Sequence, residues 1–508
     1  MRENFEHAWA AYRKHGWSYD EVTPISGHGT NNFGGWRATL IDSLDTLWLM
    51  NLTAEFDEAV AAVAEINFRS TEHEFINVFE TTIRYLGGLL GAYDVSSHGG
   101  GGGDRNGRIL MAKAIELGEL VYAAFDTPNR MPVTRFDWNT LQDPSHVQAA
   151  GGFVLVAELA SLTVEMTRLS QLTGDGKYYD AVARVTNALE EAQPHTRLPG
   201  LWPIVVNASA LTFDWPDFTL GGMADSAYEY LPKAFQLLGG REPQYRSMYE
   251  AAIAAAEKFL FFRPMTATPS RSVLVSGSAR ANSTSDRKLV PEGQHLACFA
   301  GGMLALGSKL FSRPADLELA TKLTDGCLWA YESMPTGIMP ERFSLIACPD
   351  ATNCPWDEEL WLGSIPLNET LVAQGVAVGQ LIPAEINRHR LERGFTAYAD
   401  TRYTLRPEAI EAVFYMYRVT GEGRWMERGW EMFERIVKVT RTGLAHTAVG
   451  DVTRVEDPGG MDRMESYWLA ETLKYFFLLF SEPETLSLDE WVFNTEAHPF
   501  RLEGRGRG

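Results

Sequence analysis

Short amphipathic helical segments recur along nearly the whole chain, about every 30 residues or less, and this repetition limits the folds it can adopt. Some of these segments end at a Thr-Gly pair that the next helix follows at once, as in LTGD at 172–175 and VTGE at 419–422. Helices joined by such turns form antiparallel hairpins, and successive hairpins can stack around a ring. The sequence therefore predicts an all-α fold.

The predicted helices cover 3–15, 38–50, 55–67, 75–93, 109–125, 147–173, 176–192, 224–239, 244–263, 293–311, 315–333, 367–380, 384–399, 407–420, 423–439 and 462–481. Strand-like sequence is confined to three connections, at 197–217, 271–290 and 440–456. The glycine-rich stretch at 96–107 is interpreted as a linker, because no Gly-Lys-Ser/Thr follows it as a phosphate-binding loop requires.

Length and charge restrict the domain organisation and the partners. A chain of 508 residues is longer than one core usually supports, although large helical toroids are an exception. The formal net charge of −21 argues against nucleic acid or an anionic membrane as a partner. No apolar run reaches transmembrane length, and the first residues contain no secretory hydrophobic region. We therefore expect a signal peptide or anchor to lie upstream of the sequence given.

The cysteines and the glycosylation sequons favour an oxidising compartment. The four cysteines, at 298, 327, 348 and 354, lie in one short window and are compatible with two disulfides. Zinc is the competing interpretation, but neither a Cys-x-x-Cys pair nor a suitable histidine pair accompanies them. Four Asn-x-Ser/Thr sequons, at Asn51, Asn207, Asn282 and Asn368, point to the same compartment.

The segment 403–421 places charged groups at the start of one helix. Pro407 suits a first helical position, and Glu408 follows in the first turn, where a carboxylate meets the positive end of the helix dipole. Arg406 precedes them and Glu411 follows one turn later on the same face. A capped surface helix would explain this segment if it stood alone.

Further carboxylates lie on other predicted helices, several of them strongly apolar. Glu80 and Arg84 are four residues apart and share a helix face, which is compatible with a structural salt bridge or with an arginine that tunes a catalytic acid. Carboxylates on apolar helices are costly to bury unless they are paired or functional. The complete set is Glu80, Glu158, Asp225, Glu408, Glu411, Glu465, Glu471 and Glu496.

A ring of hairpins could direct this set into one central cavity. Such a cavity suits glycoside hydrolysis, in which two carboxyl groups flank the scissile bond, and it also suits an oxygen-ligated cation such as Ca²⁺. No Ser-His-Asp arrangement, dinucleotide fingerprint or zinc signature competes with this interpretation. The residues alone thus indicate a carbohydrate-active helical toroid.

Eight long motifs resemble those of glycoside hydrolase family 47, the class I α-1,2-mannosidases, and the resemblance runs from about residue 3 to residue 500. They are IDSLDTLW, NVFETTIRYLGGLL, GGMADSAYEYL, HLACFAGG, MPTGIMPE, YTLRPEAIEAVFYMYRVTG, MESYWLAETLKYFFLLF and FNTEAHPF. The resemblance implies an (α/α)7 barrel in which residues 1–508 form one catalytic domain with small β-hairpin connections. It also implies Ca²⁺ dependence and inversion at the anomeric carbon.

The resemblance assigns roles to particular residues. Glu80 is expected to be the general acid, acting through a water, and Glu408 the base that activates the attacking water. Asp225 is the third essential carboxylate, and whether it or Glu80 delivers the proton stays open. Thr495 is expected to bind Ca²⁺. Cys298 and Cys327 match the disulfide of the hydrolytic branch, and we expect Cys348 and Cys354 to form a second, local disulfide. The expected subsite residues are Arg84, Glu158, His295, Arg406, Glu411, Tyr467, Glu471 and Glu496.

Met223, two residues before Asp225, favours the Golgi or fungal secreted type within the family. The endoplasmic-reticulum type has an arginine here that grips one glycan branch, and methionine offers no such donor. We therefore expect a monomer in the Golgi lumen or secreted, which trims high-mannose N-glycans or glycoproteins to five mannoses. Two alternatives stay open: a catalytically weak, mannose-recognising relative that acts in glycoprotein degradation, and a lyase on a similar toroid.

Overall fold

The computed structural model describes residues 1–97, 105–137, 147–267 and 272–503. Part of the glycine-rich stretch interpreted as a linker, residues 98–104, lies outside them. The helices are α1 (Arg2–Ala11), α2 (Ala38–Asp42), α3 (Leu44–Leu49), α4 (Thr53–Ala64), α5 (Val78–Glu80), α6 (Gly87–Ser96), α7 (Arg105–Ala123), α8 (Val156–Ala160), α9 (Thr163–Thr173), α10 (Lys177–Ala192), α11 (Asp225–Leu237), α12 (Pro243–Phe259), α13 (Phe299–Leu310), α14 (Pro314–Ser333), α15 (Glu358–Gly363), α16 (Glu369–Ala373), α17 (Val378–His389), α18 (Glu408–Thr420), α19 (Arg424–Thr440) and α20 (Leu473–Leu479).

The strands are short and always antiparallel to their partners. They are β1 (Glu21–Val22), β2 (Gly29–Thr30), β3 (Phe75–Asn77), β4 (Arg135–Asp137), β5 (Val154–Leu155), β6 (Val205–Val206), β7 (Asp217–Thr219), β8 (Phe261–Phe262), β9 (Val275–Ser276), β10 (Ser278–Ala281), β11 (Arg287–Val290), β12 (Glu292–Gln294), β13 (Arg342–Leu345), β14 (Phe395–Asp400), β15 (Trp491–Phe493) and β16 (Pro499–Arg501). The sheets of three strands have the orders β11-β10-β7 and β12-β13-β14, and the other strands pair as β1-β2, β3-β4, β5-β6, β8-β9 and β15-β16.

An inner ring of helices forms the centre of the fold. Around this ring α3 packs on α6, α6 on α9, α9 on α11, α11 on α13, α13 on α18 and α18 on α20. The π-helical turn Trp468–Thr472, which leads into α20, packs on α2 and α3 and so closes the circle. The two ends of the chain are therefore neighbours in the ring.

Each inner helix is backed by an outer helix next to it in the chain. The pairs are α3 with α4, α6 with α7, α9 with α10, α11 with α12, α13 with α14 and α18 with α19, and α1 packs against α20. The predicted Thr-Gly turns join two of these pairs: Gly174 (φ 73°) ends α9 and Gly421 (φ 70°) ends α18, both in the left-handed conformation that glycine adopts most readily. The hairpins predicted from the sequence are thus present.

The four cysteines form two disulfides, Cys298–Cys327 and Cys348–Cys354, as the resemblance predicted. The first links the residue before α13 to the outer helix α14. The second lies beside a small apolar cluster that is separate from the main core and includes Trp361.

Several predicted helix boundaries are wrong. The segment 384–399 is not one helix, because α17 ends at His389 and residues 395–400 form β14, which pairs with β13. Strand pairing with a distant part of the chain outweighs local helical periodicity here. The helix predicted over 147–173 begins only at Val156 and is interrupted after Ala160.

The helix predicted over 38–50 is likewise divided, at Ser43. The helix predicted over 462–481 begins at Trp468, with a π-helical turn. No helix in the part of the chain that the structure describes is long and apolar enough to cross a membrane.

Candidate active site

A cavity of about 380 Å³ lies where the N-terminal ends of successive inner helices meet. It is lined by residues of α5, α8, α11, α13 and α18 and by the loop after β15. All but one of the predicted catalytic, subsite and metal-binding residues line it, namely Glu80, Arg84, Glu158, Asp225, Arg406, Glu408, Glu411, Tyr467, Glu471, Thr495 and Glu496. The exception is His295, which lies directly behind Glu408.

Glu408 is the first residue of α18 and is held from two sides. The imidazole of His295 lies 2.8 Å from the Oε2 atom of Glu408 and 2.7 Å from the hydroxyl of Tyr331. Arg406 contributes a second, longer contact of 3.4 Å to Oε1. Burial alone would raise the pKa of Glu408, but the hydrogen bond from His295 and the charge of Arg406 together lower it below its ordinary value. Glu408 is thus kept as a carboxylate.

Arg406 is fixed by a residue to which the sequence analysis assigned no role, Glu341. The guanidinium Nε atom donates to Glu341 Oε2 at 2.5 Å. The other oxygen of Glu341 accepts from the backbone N–H and the hydroxyl of Thr404, at 2.9 and 2.8 Å. Glu341 therefore orients the arginine that contacts Glu408.

Glu80 lies at the end of the single helical turn α5, on the cavity wall. The side chain of Asn77 caps this turn by accepting from the Glu80 N–H at 3.2 Å. The predicted contact with Arg84 is present, because Arg84 Nε donates to Glu80 Oε2 at 2.8 Å. The same guanidinium donates to Glu496 Oε2 at 2.7 Å. One arginine therefore holds two carboxylates of the wall.

Asp225 opens α11 and faces the same cavity. Its Oδ1 atom accepts the N–H of Ser226 at 2.9 Å. Burial raises the pKa of Asp225 to about 7, and the nearby charges of Glu229 and Glu408 act in the same direction. Asp225 and Glu408 thus occupy matching helix starts, but their environments move their pKa values in opposite directions.

The loop at residues 494–498 carries Thr495 and Glu496 into the cavity. Asn494 holds it, because its Oδ1 atom accepts from the N–H groups of Glu496 and His498 at 3.0 and 2.8 Å. The loop lies so close to α6 that a Cβ atom added at Gly87 would be 2.6 Å from the Asn494 side chain. Glycine at this position therefore allows the loop to approach α6.

Beneath this loop, at the floor of the cavity, the buried Lys233 neutralises part of the carboxylate charge. Lys233 contacts Glu229 in a short ion pair, lies 3.6 Å from Glu411, and donates to the carbonyl of Asn494 at 3.3 Å. Glu229 in turn accepts from the hydroxyl of Thr495 at 2.7 Å. Burial raises the pKa of Glu411, although the charge of Lys233 opposes the rise. The floor of the cavity therefore has less positive charge than its carboxylates need for full compensation.

The remaining predicted subsite residues lie at different depths. Glu158, on α8, accepts from the half-exposed Arg135 at 2.7 Å. Tyr467 donates to the carbonyl of Thr404 at 2.8 Å, so its ring is fixed in the wall. Burial, reinforced by the adjacent Glu496, raises the pKa of Glu471 well above its ordinary value.

The composition of the wall fits a hard divalent cation. Its acidic side chains are Glu80, Glu158, Asp225, Glu229, Glu408, Glu411, Glu471 and Glu496, whereas its basic ones are Arg84 and Arg406. This surplus of negative oxygen donors around Thr495 suits Ca²⁺, which binds carboxylate, carbonyl and hydroxyl oxygens and water. No group of three or more His, Cys, Asp and Glu side chains within the described ranges is arranged as a metal cage.

Three acidic or basic groups of this site received no role from the sequence, namely Glu229, Lys233 and Glu341. A signal for two of them was present, since Asp225, Glu229 and Lys233 follow one another at intervals of four residues on one helix face. Glu341 belongs to the quoted motif MPTGIMPE, but nothing local connects it with Arg406.

Glycosidases place two carboxyl groups on either side of the scissile bond, and carboxyl groups that face one cavity from separate helices can meet this requirement. Comparison with known proteins supports the interpretation of the site as that of a glycosidase. Residues 4–502 match the model of glycosyl hydrolase family 47. The solved structure of the α-1,2-mannosidase from Trichoderma reesei superposes with a TM-score of 0.84 at 29% identity, covering 99% of this chain and 98% of that one.

Two curated relatives extend the comparison. The mannosyl-oligosaccharide 1,2-α-mannosidase IB of Mus musculus is 34% identical over 509 residues, which are 98% of this chain and 69% of the relative. The endoplasmic reticulum mannosyl-oligosaccharide 1,2-α-mannosidase of Homo sapiens is 35% identical over 504 residues, which are 98% of this chain and 63% of the relative. The chain belongs to glycosyl hydrolase family 47. It is a glycoside hydrolase, and the predicted (α/α)7 barrel is confirmed.

We predict that Lys233→Met lowers the free energy of unfolding by about 3–5 kcal/mol, because it leaves buried carboxylates without their cation. Chemical denaturation at pH 7 measures the loss. The control is Arg246→Met, which breaks the pair with Glu250 at the same spacing on the neighbouring helix α12, but at the surface. Its effect is expected to stay below about 1 kcal/mol. Equal losses in the two variants would contradict the assigned role of Lys233.

Proposed function

We propose that the chain is an inverting, exo-acting α-1,2-mannosidase that removes α-1,2-linked mannose from high-mannose N-glycans. The observation that carries the proposal is that Glu408 and Asp225 open separate helices at one cavity, where their environments move their pKa values in opposite directions. Burial and neighbouring charge raise the pKa of Asp225, whereas hydrogen bonding lowers the pKa of Glu408. A hydrolase that uses two carboxyl groups needs one of them protonated and one ionised. The names of the relatives supply the linkage and the substrate class.

Glu408 is proposed as the general base. His295 and Arg406 hold both of its oxygens and keep it ionised, so it can accept a proton from a water that attacks the anomeric carbon. Inversion requires space for this water between base and sugar, and a base on a helix of its own, α18, is compatible with that requirement.

The acid function is proposed to be shared by Glu80 and Asp225. Asp225, with a pKa of about 7, retains a proton in neutral and weakly acidic solution. Glu80 lies on the cavity wall with its side chain 26% exposed and is oriented by Arg84, so it can pass a proton to the leaving oxygen through a water. The proton returns to the pair from solvent after the sugar has left.

Thr495 is proposed to hold Ca²⁺ through its hydroxyl and carbonyl oxygens, with water completing the coordination shell. When bound, the cation would supply positive charge that orients sugar hydroxyls and the attacking water. Glu229 accepts from the Thr495 hydroxyl, and Asn494 fixes the loop, so these two residues position the donor atoms. The subsite residues of the wall would hold the hydroxyls of the terminal mannose.

The two disulfides and the four sequons support a protein of the secretory pathway, in the Golgi lumen or secreted. We further propose that it acts as a monomer with a single catalytic domain. The Cys298–Cys327 disulfide also favours the hydrolytic branch over the weakly catalytic, glycan-recognising alternative.

Met223 is proposed to leave the enzyme tolerant of different branches. It lines the cavity, its side chain is 53% exposed, and its backbone has a φ of 80°. Its carbonyl accepts from the N–H of Ala157 at 3.1 Å, which fixes the position of the residue. A flexible thioether without a donor packs against different sugars without selecting one. We therefore expect the enzyme to trim the glycan stepwise to five mannoses.

Replacing Glu408 by Gln is expected to lower kcat by at least ~10²-fold, because the base is lost while the shape of the side chain is kept. Glycan affinity, measured by calorimetry, is expected to stay close to that of the wild type. Near-wild-type turnover in this variant would contradict the assignment of the base.

The acid pair is tested with a substrate whose leaving group needs no proton. Asp225→Asn and Glu80→Gln are expected to lose activity on α-1,2-mannobiose but to retain much more of it on α-mannosyl fluoride, whereas Glu408→Gln loses both. In the wild type, kcat/KM on mannobiose is expected to fall as the pH rises above about 7, since Asp225 then loses its proton. Equal losses on both substrates in the Asp225 variant would argue against a role in proton donation.

Chelation is expected to lower both activity and melting temperature, and added Ca²⁺ is expected to restore them. A ligand present at 100 times its dissociation constant contributes about 2.7 kcal/mol to stability. The variant Thr495→Val serves as the control, because its melting temperature should no longer respond to chelator. A wild-type melting temperature that does not change in excess EDTA would contradict a bound cation.

Met223→Arg is expected to slow the removal of some α-1,2 branches far more than others, because each charge-assisted hydrogen bond to one branch is worth about 1.5–3 kcal/mol. A time course on a nine-mannose glycan, resolved by isomer, measures this preference. The wild type should proceed to five mannoses and leave α-1,3 and α-1,6 bonds intact. If the wild type stalls after one mannose, the role proposed for Met223 is wrong.

A further inference from the structure

Two large aromatic side chains lie exposed and in contact with each other beside the cavity wall. Phe153 is 66% exposed and Trp215 is 39% exposed. Their ring centroids are 5.3 Å apart and their planes are perpendicular, so they form an edge-to-face pair. Single exposed apolar residues are ordinary, but a preformed pair next to a binding cavity is a candidate contact surface. We call this pair the aromatic shelf.

The aromatic shelf continues the wall of the cavity. Phe153 directly precedes β5, in which Val154 is buried and Leu155 lines the cavity. Two residues span at most about 7 Å, so Phe153 lies within that distance of the cavity wall along the chain.

Backbone hydrogen bonds hold the segment that follows Trp215 beside β6, and β6 beside β5. β5 pairs with β6, and the N–H of Ile204, just before β6, donates to the carbonyl of Asp217 at 3.0 Å. Asp217 opens β7, two residues after Trp215. The position of the shelf is therefore fixed by backbone contacts and does not depend on the two side chains alone.

The cavity is small for an oligosaccharide substrate. Its volume of about 380 Å³ is near the lower end of the range for ligand sites, ~300–1,000 Å³. It can enclose the sugars at the cleaved bond, so the rest of a branched glycan has to run over the rim. The shelf lies beside that rim, because Phe153 is two residues from the wall residue Leu155 and contacts Trp215.

We propose that Phe153 and Trp215 form a subsite that binds a pyranose ring of the glycan outside the cavity. This inference rests on the proposed function. The C–H groups on one face of a pyranose are apolar and would pack on the aromatic rings, while its hydroxyls stay in water. A second copy of the chain is a poorer occupant, because two side chains fall far short of the ~800 Å² per partner of a standard interface.

The experiment compares a long and a short substrate. For Phe153→Ala and Trp215→Ala, kcat/KM on a nine-mannose glycan is expected to fall roughly tenfold more than on α-1,2-mannobiose, the size expected for truncating one aromatic anchor. Trp215→Phe should recover most of the loss. The matched control is Trp430→Ala: Trp430 is 45% exposed, forms a similar edge-to-face pair with Phe480, and lies on the outer helix α19, so neither activity should change.

Glycan binding, measured by calorimetry with the same variants, separates the subsite from the hydrolytic function. If the wild type binds the glycan without cleaving it, and Phe153→Ala weakens that binding, the hydrolytic function fails and the subsite stands. Equal losses on the two substrates, or unchanged glycan affinity in both alanine variants, would overturn the subsite. A dimer that dissociates on Trp215→Ala, detected by sedimentation, would assign the shelf to a second copy and overturn it too.

Discussion

Buried negative charge at the centre of the ring is the constraint on which the rest of the structure depends. Carboxylates from separate inner helices converge on one small cavity, where they repel each other and lack most of their hydration. Arg84 in the wall contacts three carboxylates, and Arg406 in the wall and Lys233 beneath it contact two each. The helix dipoles also stabilise negative charge, because Asp225 and Glu408 lie at the positive, N-terminal ends of α11 and α18.

The positive charges compensate the buried carboxylates only in part, and a hydrolase can use the difference between compensated and uncompensated groups. Where a cation or an imidazole is close, as at Glu408, the carboxyl group stays ionised. Where burial dominates, as at Asp225, the group holds a proton up to about pH 7. The same residual negative charge makes the floor near Thr495 a favourable place for a divalent cation. Stability and chemistry therefore depend on one charge balance.

The parts of the fold that local sequence determines could be predicted from it. Helical periodicity and Thr-Gly turns predicted the hairpins. The acidic residues predicted to face the cavity from helix starts or apolar helices do line it, except for Glu465, which pairs with Arg463. Contacts between distant segments could not be predicted in this way. The pairing of Glu341 with Arg406 spans 65 residues, and the strand at 395–400 exists only because β13 lies beside it. The exposure of Phe153 beside Trp215 could not be predicted either, because it depends on contacts between the segments of β5, β6 and β7, which are distant in the sequence.

In the proposed mechanism, Glu408 directs water to the anomeric carbon of an α-linked mannose while Glu80 and Asp225 protonate the leaving oxygen. Proton NMR of the sugar first released from α-1,2-mannobiose in heavy water tests this mechanism most directly. Inversion makes β-mannose the first product, and α-mannose follows only as the free sugar mutarotates. Initial release of α-mannose would contradict the arrangement of base and acid proposed for Glu408, Glu80 and Asp225.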